Sequence, residues 1–111
     1  MTPTYRAGLA VLTACLGGQA AAEITVAHVY GQTGALEAYA EQSHIGLMLG
    51  LEYATDGTME IDGEPITVIE KDTRLDPATG RAVLAEAYGD DGAQIVIPEI
   101  GAQSDDFLDL A

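Results

Sequence analysis

Positive charge is scarce in this sequence. Four lysines and arginines stand against eighteen aspartates and glutamates, for a formal charge of −14. A field of that sign repels phosphate backbones and anionic lipid surfaces, which argues against a nucleic-acid or peripheral-membrane role. There is a single cysteine, Cys15, so no disulfide framework is available. The two histidines, His28 and His44, are not at metal-ligand spacing, and with no cysteine partner they predict no zinc site. Long apolar runs are missing too. The longest, Ala7 to Leu16, is about half of the roughly 20 residues that a membrane-crossing helix needs. Neither a G-x-G-x-x-G fingerprint nor a phosphate loop followed by Lys-Ser/Thr is present, which leaves nucleotide binding without support. No nucleophile elbow of the G-x-S-x-G kind occurs either.

What is present begins with an export signal. Arg6 is the only charged side chain before Glu23, the apolar run follows it, Gly17-Gly18-Gln19 breaks that run, and Ala20-Ala21-Ala22 offers small residues to a signal peptidase. Residues 1–22 are therefore expected to be removed, with cleavage after Ala22. Leu12-Thr13-Ala14-Cys15 also fits a lipoprotein signal, in which Cys15 becomes the lipidated first residue, and the two cuts compete. Loss of residues 1–22 takes away Arg6 and no acid, so the remaining 89 residues carry −15. That length is below the usual domain size of roughly 100 to 150 residues. The sequence stops at Phe107-Leu108-Asp109-Leu110-Ala111, a helix-like pattern without a cap, so a truncated chain is expected.

Ile24 to Tyr30 is rich in β-branched residues and runs into Gly31-Gln32-Thr33-Gly34, the pattern of a buried strand entering a tight loop. Leu36 to Thr55 reads as a helix with Leu47, Met48, Leu51 and Ala54 on one stripe, and Asp56-Gly57 ends it. Gly46 and Gly50 allow another element to approach that helix closely. Asp62-Gly63 is a hairpin signal between Met59-Glu60-Ile61 and Ile66 to Ile69, the latter continuing to Asp72. Asp76-Pro77 starts a second helix, Ala78 to Tyr88, with Val83, Leu84 and Ala87 inward. Gln94 to Pro98 is a short strand apolar on both faces. Strands alternating with helices predict an α/β fold with a parallel sheet covered on both sides. Ligands of such sheets lie beyond the carboxyl ends of the strands, which selects the loops 31–38, 71–76 and 99–105.

The residues in and near those loops allow several chemistries. The N–H groups of Gly31 to Gly34, at a helix start, suit an anionic group such as a carboxylate, or they simply form a tight turn. Tyr39 offers an aromatic face or a hydroxyl over that loop, or it packs half-buried. His28 reads as a sheet residue with one satisfied ring nitrogen, and His44 as solvent-facing. Glu70, Asp72 and Asp76 crowd one strand end, where a carboxylate pair serves acid–base catalysis or calcium binding. Their spacing matches no calcium loop, and Lys71 and Arg74 partly neutralise them. Glu37 and Glu41 read as a solvated helix face.

One ordered set of residues resembles a known family. Ile24 to Tyr39, with Tyr30-Gly31-Gln32-Thr33-Gly34-Ala35-Leu36-Glu37-Ala38-Tyr39 at its end, resembles the start of the mature substrate-binding proteins of branched-chain amino acid ABC transporters. These are type I periplasmic binding proteins of the leucine/isoleucine/valine-binding kind. The likeness continues through Glu41-Gln42, Gly46 to Tyr53, Asp62-Gly63, Val68 to Asp72, Asp76-Pro77 and Gly92 to Ile97, covering residues 23–98. The resemblance implies a three-layer α/β fold of which residues 23–111 are the N-terminal part of the first lobe, incomplete. It implies a periplasmic capture protein, not an enzyme, that takes an amino acid or related small molecule between two closing lobes. The partner implied is an ABC permease in the inner membrane, with no cofactor and no metal, and the binding protein is expected to be monomeric.

Tyr39 matches a tyrosine that lines the family's cleft. Gly101 and Ala102 stand where the family commonly has serines, and Pro98 where it has a glycine. The implied ligand-binding set is Thr33, Tyr39, Gly101, Ala102, Gln103 and Ser104. Two other readings stay open: the ligand-sensing ectodomain of a receptor with the same fold, and a secreted α/β hydrolase using the acidic cluster near Asp72.

Overall fold

The computed structural model describes residues 22–99. The expected signal up to Ala21, including Cys15, and the candidate residues Gly101, Ala102, Gln103 and Ser104 lie outside the described residues. Strand β1 (Ile24–Tyr30) is the centre of the sheet, and its last five residues, Val26 to Tyr30, are all buried. A strand covered on both faces has no solvated side, so the polar His28 and Tyr30 are buried along with the apolar residues beside them. After helix α1 (Glu37–Ala54) come β2 (Glu60–Ile61), β3 (Glu64–Asp72), helix α2 (Pro77–Gly89) and β4 (Ile95–Pro98).

The strand order is β2-β3-β1-β4. β1 runs parallel to β3, from Ile24↔Ile66 to Tyr30↔Asp72, and parallel to β4, from Val26↔Ile95 to Val29↔Pro98. β2 pairs antiparallel with β3 through the Asp62-Gly63 turn, whose φ angles of 52° and 81° are the paired positive values of a type I′ hairpin. The expected parallel sheet is present, with an antiparallel strand at one edge. The chain leaves β1 toward one side to make β3 and passes back across β1 to make β4. Right-handed crossovers in opposite directions put α1 and α2 on opposite faces, which makes three layers.

The core lies on the α2 face. Ala27 and Val29 of β1 meet Leu84 and Ala87 of α2 together with Ala93, and Ile69, Val83 and Val96 pack around them. The Asp76 carboxylate caps α2, accepting from Thr79 N–H at 2.8 Å and from the Thr79 hydroxyl at 2.7 Å, with Pro77 in the first turn. Helix α1 has no side-chain cap at Leu36 and only Ala40 fully buried. It closes with Gly57 N–H donating to Glu52 O at 2.7 Å, where Gly57 has φ +79°. Ala54, expected on the inward stripe, is exposed, while Leu47, Met48 and Leu51 are half-buried. Among the described residues nothing approaches within 4 Å of where a side chain at Gly46 or Gly50 would begin.

Candidate functional site

Parallel pairing aligns the carboxyl ends of β1, β3 and β4, so the three loops selected from sequence begin side by side. Thr73 N–H donates to Tyr30 O at 2.9 Å, and Glu99 N–H to Val29 O at 2.8 Å. Asp72 ties the first two loops together. Its carboxylate accepts from Gln32 N–H at 3.0 Å, from the Thr33 hydroxyl at 2.8 Å and from Arg74 N–H at 2.8 Å. Burial works to raise the Asp72 carboxyl, but the hydrogen bonds from Arg74, Thr33 and Gln32 outweigh it and hold the group below the usual aspartate value. The second loop carries Arg74 and Leu75 at φ 53° and 55°, a conformation that costs non-glycine residues energy. It brings the Leu75 side chain onto Gly31, where any Cβ would sit 2.5 Å from Leu75 Cδ2. A side chain at Gly31 would thus have to displace that of Leu75, and Gly34, at φ +113°, is needed for the turn itself.

These loops and the start of α1 enclose a cleft of about 70 Å³ lined by Gly31, Leu36, Tyr39, Ala40, Leu75 and Glu99. Tyr39, singled out from sequence, lines it and is 72% exposed, so it is available to a ligand rather than packed away. Thr33 is also exposed, with its hydroxyl committed to Asp72. Leu75 and Glu99 were not singled out as ligand-binding residues. Glu99 lies within a loop that the strand-end rule selects, whereas Leu75 carries no sequence signal beyond its place after β3. A wider groove of about 420 Å³ lies next to the cleft, lined by Tyr30, Gln32, Glu37, Glu41, His44, Ile45 and Glu70.

The α1 face of the sheet overturns the reading of His44 and adds a second partner to His28, which lies in β1 as its sequence predicts. His44 is not solvent-facing: its side chain is 22% exposed and its Nδ1 lies 3.0 Å from His28 Nδ1. His28 has both ring nitrogens engaged, since Nε2 lies 3.1 Å from Glu99 Oε2. The rings of His28 and Tyr30 stack at 3.9 Å, and that of His44 lies nearly parallel to both, at 5.3 Å and 5.6 Å. The Tyr30 hydroxyl donates to Glu70, Ser43 Oγ donates to Glu99, and His44 Nε2 lies 3.5 Å from Glu70. Burial lowers the pKa of His28, against the opposing pull of Glu99, and burial together with Glu70 raises that of Tyr30.

The acidic cluster read at the end of β3 comes apart in space. Glu70 faces His44, Asp72 is used inside the loops, and Asp76 caps α2. Lys71 does not neutralise the cluster, because alternation points it to the α2 face, where it pairs with Glu86 at 2.9 Å and with Asp91. Among the described residues no group of three or more His, Cys, Asp or Glu could hold a metal ion, and no helix is long and apolar enough to cross a membrane.

Comparison with known proteins places this geometry. Residues 23–105 match the model of a family described as periplasmic binding protein. The chain is similar to a crystal structure of an ABC-type branched-chain amino acid transporter from Rhodopseudomonas palustris CGA009, with 52% identity over 74% of this chain and a TM-score of 0.71. It is also similar to a crystal structure of an ABC transporter from Rhodopseudomonas palustris, with 52% identity over 75% of this chain and a TM-score of 0.72. The chain spans 22% and 24% of the length of those two proteins. No curated protein matches it.

Proposed function

Because the chain belongs to the periplasmic binding protein family, we propose that it forms part of the first lobe of a solute-binding protein for an ABC importer, one that captures an amino acid or amino-acid-like molecule. The observation that carries this reading is the convergence of three strand-end loops and the first turn of α1 on one small, mostly apolar cleft. Such clefts, apolar with a few placed polar groups, are the usual form of small-molecule sites. The solved relatives are described as a branched-chain amino acid transporter and an ABC transporter, which supports a ligand of that chemistry and a membrane permease as the receiving partner. The family is one of binding proteins rather than enzymes, and its name implies a periplasmic address. Cleavage after Ala22, with lipidation of Cys15 as the competing outcome, is the route by which the chain would reach that address. We take the binding protein to act as a monomer.

Within the site, Tyr39 is assigned to cover the ligand's apolar part. Gly101, Ala102, Gln103 and Ser104 are assigned to supply hydroxyl, amide and backbone N–H groups to its polar end, and Thr33, whose hydroxyl donates to Asp72, is assigned to offer that hydroxyl oxygen as an acceptor. A chimera tests this, in which residues 23–105 replace the matching segment of the Rhodopseudomonas palustris CGA009 protein. At a ligand concentration 100 times Kd, binding to the folded state alone adds about 2.7 kcal/mol of stability, so an amino acid should raise the melting temperature clearly. If the parent protein shows a ligand-dependent shift and the chimera shows none across amino acids, amides and ureas, the assignment fails. Tyr39→Ala in the chimera should weaken binding without lowering the melting temperature of the unliganded protein.

A further inference from the structure

The contacts that hold α1 to the sheet reveal how many protons they carry. A carboxylate only accepts, so across the 3.1 Å contact His28 Nε2 donates to Glu99. Neutral His28 then has a bare Nδ1, and the 3.0 Å contact requires His44 Nδ1 to be the donor. His44 Nε2 is left facing Glu70 Oε1 at 3.5 Å. A third ring proton enters there and gains a carboxylate partner while the bond between the rings stays intact. A fourth has one place left, His28 Nδ1, where it meets the His44 N–H head-on and brings a second positive charge beside the first.

We propose that the His28–His44 pair is a proton-counting latch, which docks α1 on the sheet while it carries two or three ring protons and releases α1 when the fourth arrives.

The surroundings make the fourth proton costly and its effect local. His28 is 1% exposed. The groups facing the pair are Tyr30 on β1, Ser43 on α1, Glu70 on β3 and Glu99 after β4, and Glu37 and Glu41 of α1 line the same groove as His44. Apart from these contacts, α1 buries Ala40 fully and Leu47, Met48 and Leu51 only in part, and none of them joins the apolar core on the α2 face, so little apolar packing holds the helix when the pair repels. Burial lowers the His28 pKa from its ordinary 6.5. A depressed folded value means that the stability His28 contributes is fully present above pH 6.5 and is lost as pH falls through the folded value.

Release of α1 would move Leu36, Tyr39 and Ala40, one wall of the cleft, and so make ligand retention acid-sensitive. That consequence rests on the proposed function, whereas the latch itself does not, and the test reads α1 alone. In the 111-residue chain, amide hydrogen exchange corrected for intrinsic rates would be compared at about pH 7.5 and 5.5. Amides in the second half of α1 should lose protection by about tenfold or more, while those of Val83 to Ala87 in α2 hold theirs. His44→Gln keeps an amide donor for His28 but has no ring to titrate, and its α1 should show no such change. Nitrogen-15 shifts of the two wild-type rings need no variant: at neutral pH His28 Nδ1 should be unprotonated and His44 Nδ1 protonated. Parallel loss of protection in both helices, a wild-type pH response in His44→Gln, or a proton on His28 Nδ1 at neutral pH would overturn the latch.

Discussion

On the α2 face of the sheet, Ala27 and Val29 of β1 close on Leu84 and Ala87 in an apolar cluster. On the α1 face, the intervening residues of the same strand, His28 and Tyr30, stack with His44 and are held by Glu70 and Glu99. One strand therefore supports two kinds of interface. The apolar one is non-directional and grows with buried area, so it gives stability without fixing a single geometry. The polar one adds little net free energy per bond but is expensive to leave half-made, so it fixes the position of α1 relative to the strand ends. The cleft sits beside the fixed interface.

The largest expected effect that separates the two faces is Leu84→Ala. Leu84 is 2% exposed in the centre of the α2 core, and truncation of such a side chain costs about 2–5 kcal/mol. The urea midpoint should fall accordingly, while the ring-nitrogen shifts of His28 and His44 in the remaining folded population stay as in the wild type. If those shifts move as well, the two faces are not independent and the comparison breaks.

The two faces also differ in how far the sequence revealed them. β1, the Asp62-Gly63 hairpin and α2 are legible because their signals are local: a β-branched run, two residues suited to positive φ, and an Asp-Pro cap. Val83, Leu84 and Ala87 point inward as their spacing predicts. The convergence of the three loops was legible through the strand-end rule alone. His44 is polar and so reads as solvent-facing, yet it lies three and four residues before Leu47 and Met48 on the half-buried side of α1, whereas Ile45, Leu49 and Tyr53, 50%, 59% and 88% exposed, point out. The apolar stripe of Leu47, Met48 and Leu51 does mark the half-buried side, and only its end at Ala54 departs from it. Register was hidden as well: that His28 lies opposite Glu70, and that Lys71 turns toward Glu86, follows from strand order and pairing, which no local pattern encodes.

Gly46 and Gly50 provide a sharper probe of the α1 side. Both lie inside the helix with open space where a Cβ would be. Alanine at each should stabilise α1 by about 0.5–1 kcal/mol, since glycine loses more backbone entropy in a helix interior. The sign is informative. A gain in the 111-residue chain together with a loss in the chimera would mean that another part of the larger fold packs against these glycines, as the sequence reading expected. A gain in both would mean that the outer side of α1 is free surface in the assembled protein.

The smallest effect tests whether charge can matter on the apolar face as it does on the polar one. Lys71, with its side chain 15% exposed, bridges Asp91 and Glu86 at the rim of the α2 core. The bonds to Asp91 and then to Glu86 raise its pKa. A raised folded value contributes stability that is present below the unfolded 10.5 and lost as pH rises through the folded value. Lys71→Met keeps the aliphatic stem and removes the charge, so the loss near neutral pH should be about 0.2–1 kcal/mol, shrinking in high salt. In mildly acid solution Lys71 keeps its proton, so the wild type and Lys71→Met should lose stability in parallel between about pH 7.5 and 5.5. A variant whose pH slope in that window differed from the wild type would show that the acid response is not confined to the α1 face, and the contrast between the two interfaces would have to be drawn elsewhere.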